Sequence, residues 1–446
     1  MVISMKQKSV RLGKNIVFTV LVGLFFSAHA VVAGEVLSLK ACVTLALSRN
    51  NTLRTYALER RAMAMEVKQA LAPFYPSLSF GTSYSRTGHE NTPRDDAAKY
   101  KFRADYNLFK GSGDWSALKA KKHGYKVSDY DLQEQSLQVV ADVEKTYYAL
   151  LSLKSRLSVL KKSVEASELH EKVARKRVEA EIAPRSDFLR AQVDLANARV
   201  DLVQARRDER TLKNALLVLM GRPPGSQVFI EHEPMMVVAG HKTLAELFAL
   251  ARKYRPSLKA FEEEIQRLTS EERALKAEFF PTLDAYAEAG EDGHHFMPDK
   301  NTWSIGISLA YPFFTGFSTR YALASARARL EAKRWAYRQE ILNVQKDIAD
   351  NYAQIESDEK VIQARQTLLN SALENLKVAQ RRYEVGVGSI VELTDARVAA
   401  TDAAIGLEVA KLIVMGDEIE LKRVTGWMIP QIISEEDLKH EVEKKP

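Results

Sequence analysis

The sequence has a single cysteine, Cys42, among 446 residues, so no disulfide can form within one chain. Motifs for common chemistry are also missing: there is no H-E-x-x-H zinc motif, no phosphate-binding P-loop and no G-x-S-x-G nucleophile elbow. The adjacent His294 and His295 lack further ligands at a suitable spacing and are typical of a solvent-exposed loop. We therefore predict a protein that is not an enzyme and that holds no metal and no cofactor.

Long apolar runs are equally scarce, and the only one spans Ile16–Ala33 after four basic residues. Its unbroken core, Ile16–Phe26, is shorter than the ~20 residues that a membrane-spanning helix needs. A basic start, a short apolar core and small residues near its end are typical of a secretory signal peptide. We predict that residues 1–33 are a signal peptide, cleaved between Ala30 and Ala33.

Charge of one sign is not in large excess either, because 65 basic residues stand against 58 acidic ones, for a net charge of +7. Four of the excess positive charges lie in the predicted signal peptide. The other charges, of both signs, are dispersed along the chain, as is typical of solvated helix faces. We predict no nucleic-acid partner.

What the sequence does contain is a duplication at one fixed offset. Pro281 in Phe279–Leu283 lies 205 residues after Pro76 in Phe74–Leu78. The same offset, without any gap, matches Tyr106 with Tyr311, Gly111 with Gly316, Tyr147 with Tyr352 and Gly221 with Gly426. An internal match of this kind predicts two tandem repeats, at 34–225 and 243–430, with an inter-repeat linker at 226–242 and a charged C-terminal tail at 431–446.

Each predicted repeat has the same order of elements: an amphipathic helix (38–72 or 243–276), a β-hairpin (77–109 or 282–313), a very long helix and a shorter helix. The segments Tyr125–Ala183 and Phe317–Val385 contain no glycine and no proline. In the second segment, apolar residues recur at every seventh position, which predicts a coiled-coil seam formed by Ile341, Ile348, Ile355, Ile362, Leu369, Leu376 and Tyr383.

The helix lengths predict the path of the chain. A helix over 112–183 would reach roughly 100 Å at 1.5 Å per residue. Two helices of about half that length, 186–220 and 243–276, would run back beside it, end to end. By the same symmetry, 389–424 would join 38–72. The predicted fold is therefore mostly α, with long antiparallel coiled-coil helices and a small β part.

The predicted strands alternate between apolar and polar residues. Phe102, Ala104 and Tyr106 share one face of the second strand, and Trp303, Ile305, Ile307, Leu309 and Tyr311 share one face of the fourth. The third strand alternates less clearly, because Asp284 and Glu288 share a face with Tyr286. Soluble hairpins on a core explain this alternation as well as a transmembrane barrel does, and the signal peptide favours the barrel.

Four strands cannot close a barrel, and open strand edges cannot satisfy their amides in hydrocarbon. The chain must therefore associate with copies of itself, two copies giving eight strands and three giving twelve. Loops at Gly88–Lys99 and Gly290–Asn301 would join the strands of each hairpin.

The segment from Arg382 to Ala396, RYEVGVGSIVELTDA, is similar to the R-Y-x-x-G-x-x-S-x-x-[DE]-x-x-D-A stretch of the TolC-type outer-membrane efflux protein family. Leu219–Pro224 resembles the break in the middle of those chains, and Leu39–Pro76 resembles their opening helix. The resemblance covers about 35–427.

The resemblance implies a homotrimer in the outer membrane of a Gram-negative bacterium, reaching into the periplasm. Its four β-strands per chain would contribute to a trimeric 12-stranded barrel, and its helices to a periplasmic α-barrel tunnel. A periplasmic adaptor (membrane fusion) protein and an inner-membrane transporter, proton-driven or ABC type, would be the partners. The implied function is a passive exit duct of tripartite efflux or type I secretion. The alternative is a periplasmic coiled-coil scaffold or adhesin-like rod.

The same resemblance assigns roles near the end of the second long helix. Glu392 and Asp395, one helical turn apart, would form the pore constriction. Ser389 three residues before Glu392 is also a capping-box pattern, and both interpretations of Glu392 stay open. Tyr383 and Asp187 would make mouth-closing contacts, or simply end the apolar seam and stabilise a helix start.

The family position of Gly388 can carry an arginine, so one closing contact of that kind is missing here and a differently built latch is expected. Val385, Gly386 and Val387 match the adaptor-facing tip of the family. A simple turn explains these three residues equally well. The corresponding turn of the first repeat, 180–184, lacks the glycine.

Overall fold

A computed structural model describes residues 35–88, 95–231, 242–293 and 300–426. The predicted signal peptide, the C-terminal tail, most of the inter-repeat linker and the pair His294 and His295 lie outside these residues. The described chain is mostly helical, as predicted. None of the helices in these ranges combines the length and the apolar composition needed to cross a membrane.

The described elements follow one another in the order expected from the sequence. The first half contains β1 (Glu35–Leu37), α1 (Leu39–Arg49), α2 (Asn51–Gln69), β2 (Ser77–Thr87), β3 (Asp95–Lys110), α3 (Gly113–Glu179) and α4 (Arg185–Leu219). The second half contains β4 (Val228–Ile230), α5 (Leu244–Tyr254), α6 (Pro256–Ala277), β5 (Thr282–Gly293), β6 (Lys300–Ala310), α7 (Ser318–Glu384) and α8 (Ile390–Thr425). Helices α3 and α7 both have 67 residues.

The prediction of one continuous helix over 38–72, and of another over 243–276, was wrong. The first is broken at Asn50, whose side chain accepts a hydrogen bond from Thr52 N (2.8 Å) and donates one to Leu219 O (2.9 Å). The second is broken at Arg255, whose guanidinium donates to Val424 O (2.8 Å). Each break supplies a hydrogen-bond donor to an unpaired carbonyl at the end of a neighbouring helix.

The four long strands form one antiparallel sheet in the order β2-β3-β5-β6. The loops expected at Gly88–Lys99 and Gly290–Asn301 are shorter than predicted. Strand β3 begins at Asp95 and β5 ends at Gly293, because the pairing of Ala98 with both Tyr84 and Gly293 continues the ladder further.

One face of the sheet is apolar and the other is charged. Phe80 and Phe102 pair across β2 and β3 on the apolar face, with ring centroids 4.8 Å apart. On the opposite face, Arg103 lies 3.7 Å from Glu288 and 5.1 Å from the ring centroid of Tyr286. The weak alternation of β5 is thereby explained, since Tyr286 belongs to the charged face.

The helices continue the order of the strands. Next to the sheet, α3 packs between α2 and α6, and α6 packs on α7. Farther away, α3 packs between α4 and α8, and α8 packs on α7. The path of the chain differs from the prediction: the end of α4 meets the junction of α1 and α2 at Asn50, and the end of α8 meets the junction of α5 and α6 at Arg255. The predicted end-to-end pairing of 186–220 with 243–276, and of 389–424 with 38–72, was therefore wrong, because each shorter helix meets the half-length helix that precedes it in the same repeat.

A compact core lies between these two levels. Tyr147 of α3 is fully buried there, and its hydroxyl donates to Glu231 O (3.0 Å). The short strands β1 and β4 pair in parallel beside it. Three-residue strands give no alternation signal, so the sequence did not predict this small sheet.

Candidate functional site

Two helical hairpins, α3–α4 and α7–α8, end in tight turns of the same geometry. Ile182 N donates to Arg177 O (2.9 Å) in the first turn, and Val387 N donates to Arg382 O (3.0 Å) in the second. Ile182 is 76% exposed and Val387 68%. Each turn therefore presents an apolar side chain to solvent.

The two turns differ at their left-handed residue. Gly386 has a φ of +82°, and the corresponding Glu181 has a φ of +57°. No described atom lies within 4 Å of where a Cβ of Gly386 would stand. The second turn therefore combines an unstrained left-handed backbone with open space above it, which the first turn cannot offer because Glu181 carries a side chain.

Gly388 is enclosed, in contrast to Gly386. A Cβ at this position would lie 3.0 Å from the backbone carbonyl carbon and the Cβ of Arg382. A larger residue would push the turn away from the last turn of α7. The glycine at this position thus goes with a close approach of the turn to the end of α7.

The two carboxylates predicted to constrict a pore lie together on the exposed side of α8. Glu392 is ion-paired with Arg382, with Oε1 3.1 Å from Nε. Its backbone N–H donates to the Ser389 hydroxyl (3.1 Å), which is one half of a capping box. Asp395 is exposed one turn later and makes no ion pair with a described residue. The carboxylate of Glu392 therefore has an ion-pair partner in Arg382, and that of Asp395 has none among the described residues.

The two residues predicted to make mouth-closing contacts have different surroundings. Tyr383 is only 7% exposed, at the end of α7. The Arg177 guanidinium of α3 lies 4.6 Å from its ring centroid, a cation–π contact between the hairpins. Asp187 is half-buried in the first turn of α4 and makes no side-chain hydrogen bond with a described residue.

A polar cluster that the sequence did not predict lies slightly farther from the turns. The Thr394 hydroxyl donates to Asp194 Oδ2 (2.8 Å), and an Arg397 guanidinium nitrogen lies 4.0 Å from the same oxygen. Arg397 is 8% exposed, and its other terminal nitrogen, Nη1, has no hydrogen-bond partner among the described residues. A signal for this cluster was Arg397, the only basic residue of α8 before Lys411.

His170 of α3 completes this cluster, which we call the hairpin latch: His170, Asp194, Thr394 and Arg397. The pKa of His170 is lowered to about 4, mainly by burial and also by the charge of Arg397, with Asp194 opposing both. Burial also lowers the pKa of Arg397. The latch joins α4 to α8 through one hydrogen bond and one long ion pair, and His170 of α3 lies beside them.

Known proteins resemble the chain over most of its length. The model of the outer membrane efflux protein family matches residues 42–222 and 247–426. Protein CyaE of Bordetella pertussis is 24% identical over 369 residues, 81% of this chain and 78% of that protein. A probable efflux pump outer membrane protein, TtgC of Pseudomonas putida, is 23% identical over 407 residues, 87% of this chain and 83% of that protein.

Solved structures share the fold. The outer membrane channel CmeC of Campylobacter jejuni has a TM-score of 0.77 and 18% identity, covering 91% of this chain and 89% of that one. Because the family model covers both halves of the chain, the resemblance predicted from Arg382–Ala396 is confirmed. The chain belongs to the outer membrane efflux protein family, and export through the outer membrane of a Gram-negative cell is its function.

Proposed function

We propose that three copies of this chain close into a passive exit duct, with a 12-stranded barrel in the outer membrane and a helical tunnel in the periplasm. The duct performs no chemistry. An inner-membrane transporter, proton-driven or ABC type, supplies the driving force through a periplasmic adaptor protein. The efflux role of the relative TtgC supports the tripartite assignment, and a type I secretion system fits the same architecture.

The observation that carries this proposal is the open sheet. Among the described residues, β2 and β6 each pair with one strand only. Large apolar side chains cover one face, with Leu78, Trp303 and Ile305 each more than three-quarters exposed. Such a face needs hydrocarbon, and hydrocarbon does not tolerate unpaired strand edges. Joining β2 of one chain to β6 of the next removes both edges.

The helices have open edges on the same two sides. Along the free side of α4, apolar residues at a coiled-coil spacing are exposed, among them Val193 (58%), Val200 (53%) and Val203 (63%). On the side of α7 opposite its contact with α6 and α8, Trp335 (64%), Leu342 (58%) and Val378 (48%) are exposed. A ring of copies would bury these two surfaces against each other.

The duplication explains how a ring of three chains approaches sixfold regularity. Helices α3 and α7 begin 205 residues apart, and so do α4 and α8. Tandem repeats at 34–225 and 243–430, with a linker at 226–242, give each chain two similar halves and so give the trimer six.

The mouth of the tunnel lies at the ends of the hairpins. Glu392 and Asp395 would form stacked carboxylate rings at the constriction, with Arg382 offsetting the charge of Glu392. Tyr383 and the hairpin latch hold the hairpins of one chain together, and Asp187, in the first turn of α4, contacts a neighbouring chain. Opening is a population shift that the adaptor drives.

The adaptor binds the turn formed by Val385, Gly386 and Val387. Val385 is 73% exposed and Val387 68%, and the space above Gly386 allows a partner backbone to approach closely. The first turn has Ile182 but no glycine. The two turns therefore bind the adaptor unequally, the second more tightly.

Two measurements on the full chain test the duct. Carbonate washing of cell membranes leaves a barrel in the pellet and releases a peripheral rod. Purified protein reconstituted into planar bilayers is expected to give discrete conductance steps. Release by carbonate together with a silent bilayer would contradict the duct and favour a periplasmic scaffold.

A further inference from the structure

Trp115 lies in the first turn of α3, five residues after the end of β3. Its indole ring is half exposed and meets the ring of Phe74 edge-on, at a centroid distance of 6.2 Å. The ammonium groups of Lys119 and Lys122 lie 5.7 and 5.8 Å from the indole centroid. Two cations thus converge on one exposed aromatic ring, directly below the sheet.

The side chains of Trp115, Lys119 and Lys122 lie on the side of α3 that continues the apolar face of the sheet. Asp114 and Ala117 line a cavity of ≈ 410 Å³ together with Thr282 of β5. Thr282 lies on the charged face of the sheet, because it precedes Asp284 by two residues in the strand. Asp114 and Ala117 therefore lie on the side of α3 that continues the charged face. At 100° per residue, Trp115, Lys119 and Lys122 fall within an arc of about 60°, centred roughly 140° away from Asp114 and Ala117. They therefore point outward, where lipid would surround the barrel.

The two lysines differ from their neighbours in pairing. Lys121 forms an ion pair with Glu66 (2.8 Å), and Lys126 forms one with Glu263 (3.0 Å). Lys119 and Lys122 make no ion pair with a described residue. Their positive charges are available to an external anion.

The second half of the chain does not repeat this arrangement. At the same offset of 205, Arg320 replaces Trp115 and Ala324 replaces Lys119. Arg327, the counterpart of Lys122, is ion-paired with Glu272 (3.0 Å). Among the described residues, the cluster therefore occurs once in each chain.

Helical side chains lean toward the N-terminus of their helix, so Lys119 and Lys122 reach up toward Trp115 and the sheet. An indole prefers the boundary between hydrocarbon and water, and an ammonium group just below it lies at the level of lipid phosphates. The half-exposed indole beside Phe74 adds apolar surface that can contact the acyl chain of a lipid, whereas a free anion has no such chain.

We propose that Trp115, Lys119 and Lys122 bind the phosphate of an anionic phospholipid in the periplasmic leaflet, with the indole against its glycerol and upper acyl chain. The site rests on the proposed insertion of the sheet in the outer membrane. It fixes the height of the barrel in the bilayer and gives each chain one preferred lipid.

Native mass spectrometry of the purified full chain tests the site, using phosphatidylglycerol and phosphatidylethanolamine with identical acyl chains. The wild type is expected to bind phosphatidylglycerol in preference to phosphatidylethanolamine, on the order of tenfold, because both lysines attract the negative charge of the phosphatidylglycerol headgroup. The double variant K119Q/K122Q loses this preference. The control K121Q/K126Q removes the same charge from ion-paired lysines of the same helix and should keep the preference for phosphatidylglycerol.

Three results would overturn the site: a wild type without preference, a K119Q/K122Q protein with the preference of the wild type, or full displacement of the lipid by excess glycerol phosphate, which would identify a free-phosphate site. Bilayer conductance is recorded on the same preparations. A conducting protein without lipid preference refutes this site alone, whereas a protein that neither inserts nor conducts contradicts the proposed duct.

Discussion

The Thr394 hydroxyl donates a hydrogen bond to Asp194 over 2.8 Å, and this contact joins the two helical hairpins close to their ends. The same Asp194 carboxylate is the counter-ion of the buried Arg397. Its position in the gap between α4 and α8 makes it the shared acceptor of the latch. We propose that this contact, set farther from the turns, is the differently built latch expected from Gly388.

Removing the shared acceptor should loosen the mouth. Asp194→Ala leaves the Arg397 guanidinium buried without its counter-ion, which typically costs a few kcal/mol. We expect a higher single-channel conductance or a higher open fraction in planar bilayers. Asp201→Ala removes an exposed carboxylate from the same helix, one heptad later, and should behave as the wild type. Equal conductance in both variants would show that the latch does not hold the mouth.

Acid should weaken the same latch. The pKa of His170 is lowered to about 4 in the folded protein, from an ordinary value of 6.5, so the unfolded or opened state binds the proton more readily. The stability that a neutral His170 contributes is complete above pH 6.5 and is lost as the pH falls toward 4, by at most about 3 kcal/mol.

We therefore expect bilayer conductance to rise between pH 7 and pH 5. His170→Gln should abolish much of this pH dependence, because glutamine does not titrate. His123→Gln, elsewhere on α3, is the control. A pH profile that is the same in the wild type and in His170→Gln would rule out the histidine as its source.

The two carboxylates of the predicted constriction should contribute unequally to ion selectivity. Arg382 compensates Glu392, and Asp395 has no such ion pair among the described residues. Asp395→Asn should therefore lower the cation-to-anion permeability ratio more than Glu392→Gln does. Arg382→Gln should raise it. Reversal potentials in a salt gradient measure the ratio, and unchanged values in Asp395→Asn would exclude this residue from the pore lining.

Gly221 should be important for stability at the junction of α4 with α1. It has a φ of +67°, and a Cβ there would overlap the carbonyl oxygen of Arg49. Gly221→Ala is expected to destabilise the protein by about 2–3 kcal/mol, from backbone strain and the clash together. Gly225 also has a positive φ, but open space around it, so Gly225→Ala should cost only about 1 kcal/mol. Thermal melting of the solubilised protein compares the two.

Long periodic elements could be predicted from the sequence, because many residues contribute to one signal. The unbroken repeat from Ile341 to Tyr383 predicted the seam of the long helix α7, and the offset of 205 predicted its counterpart in α3. Family membership likewise depended on an extended motif. The seam residues are more exposed in α7 than in α3: Ile362 is half-buried, whereas its counterpart Leu157 is buried. The reason is that α7 lies at an open edge of the chain.

Features set by a single long-range contact could not be predicted. The helix break at Asn50 depends on the carbonyl of Leu219, which lies 169 residues away. The latch depends on Asp194 and Thr394 facing each other across two helices, and neither residue is unusual in its own segment. Side-chain partners of this kind follow from packing, which no local periodicity encodes.

The closed ring is tested most directly by disulfide cross-linking of its edge strands. In a Cys42→Ala background, one cysteine replaces Thr82 on β2, and a second is scanned through alternate positions of β6 from Trp303 to Leu309. The trimeric barrel predicts that oxidation of the full chain in membranes gives cross-linked species at one register, ending at three chains. Cross-linking at no position, or a ladder that continues beyond three, would contradict it.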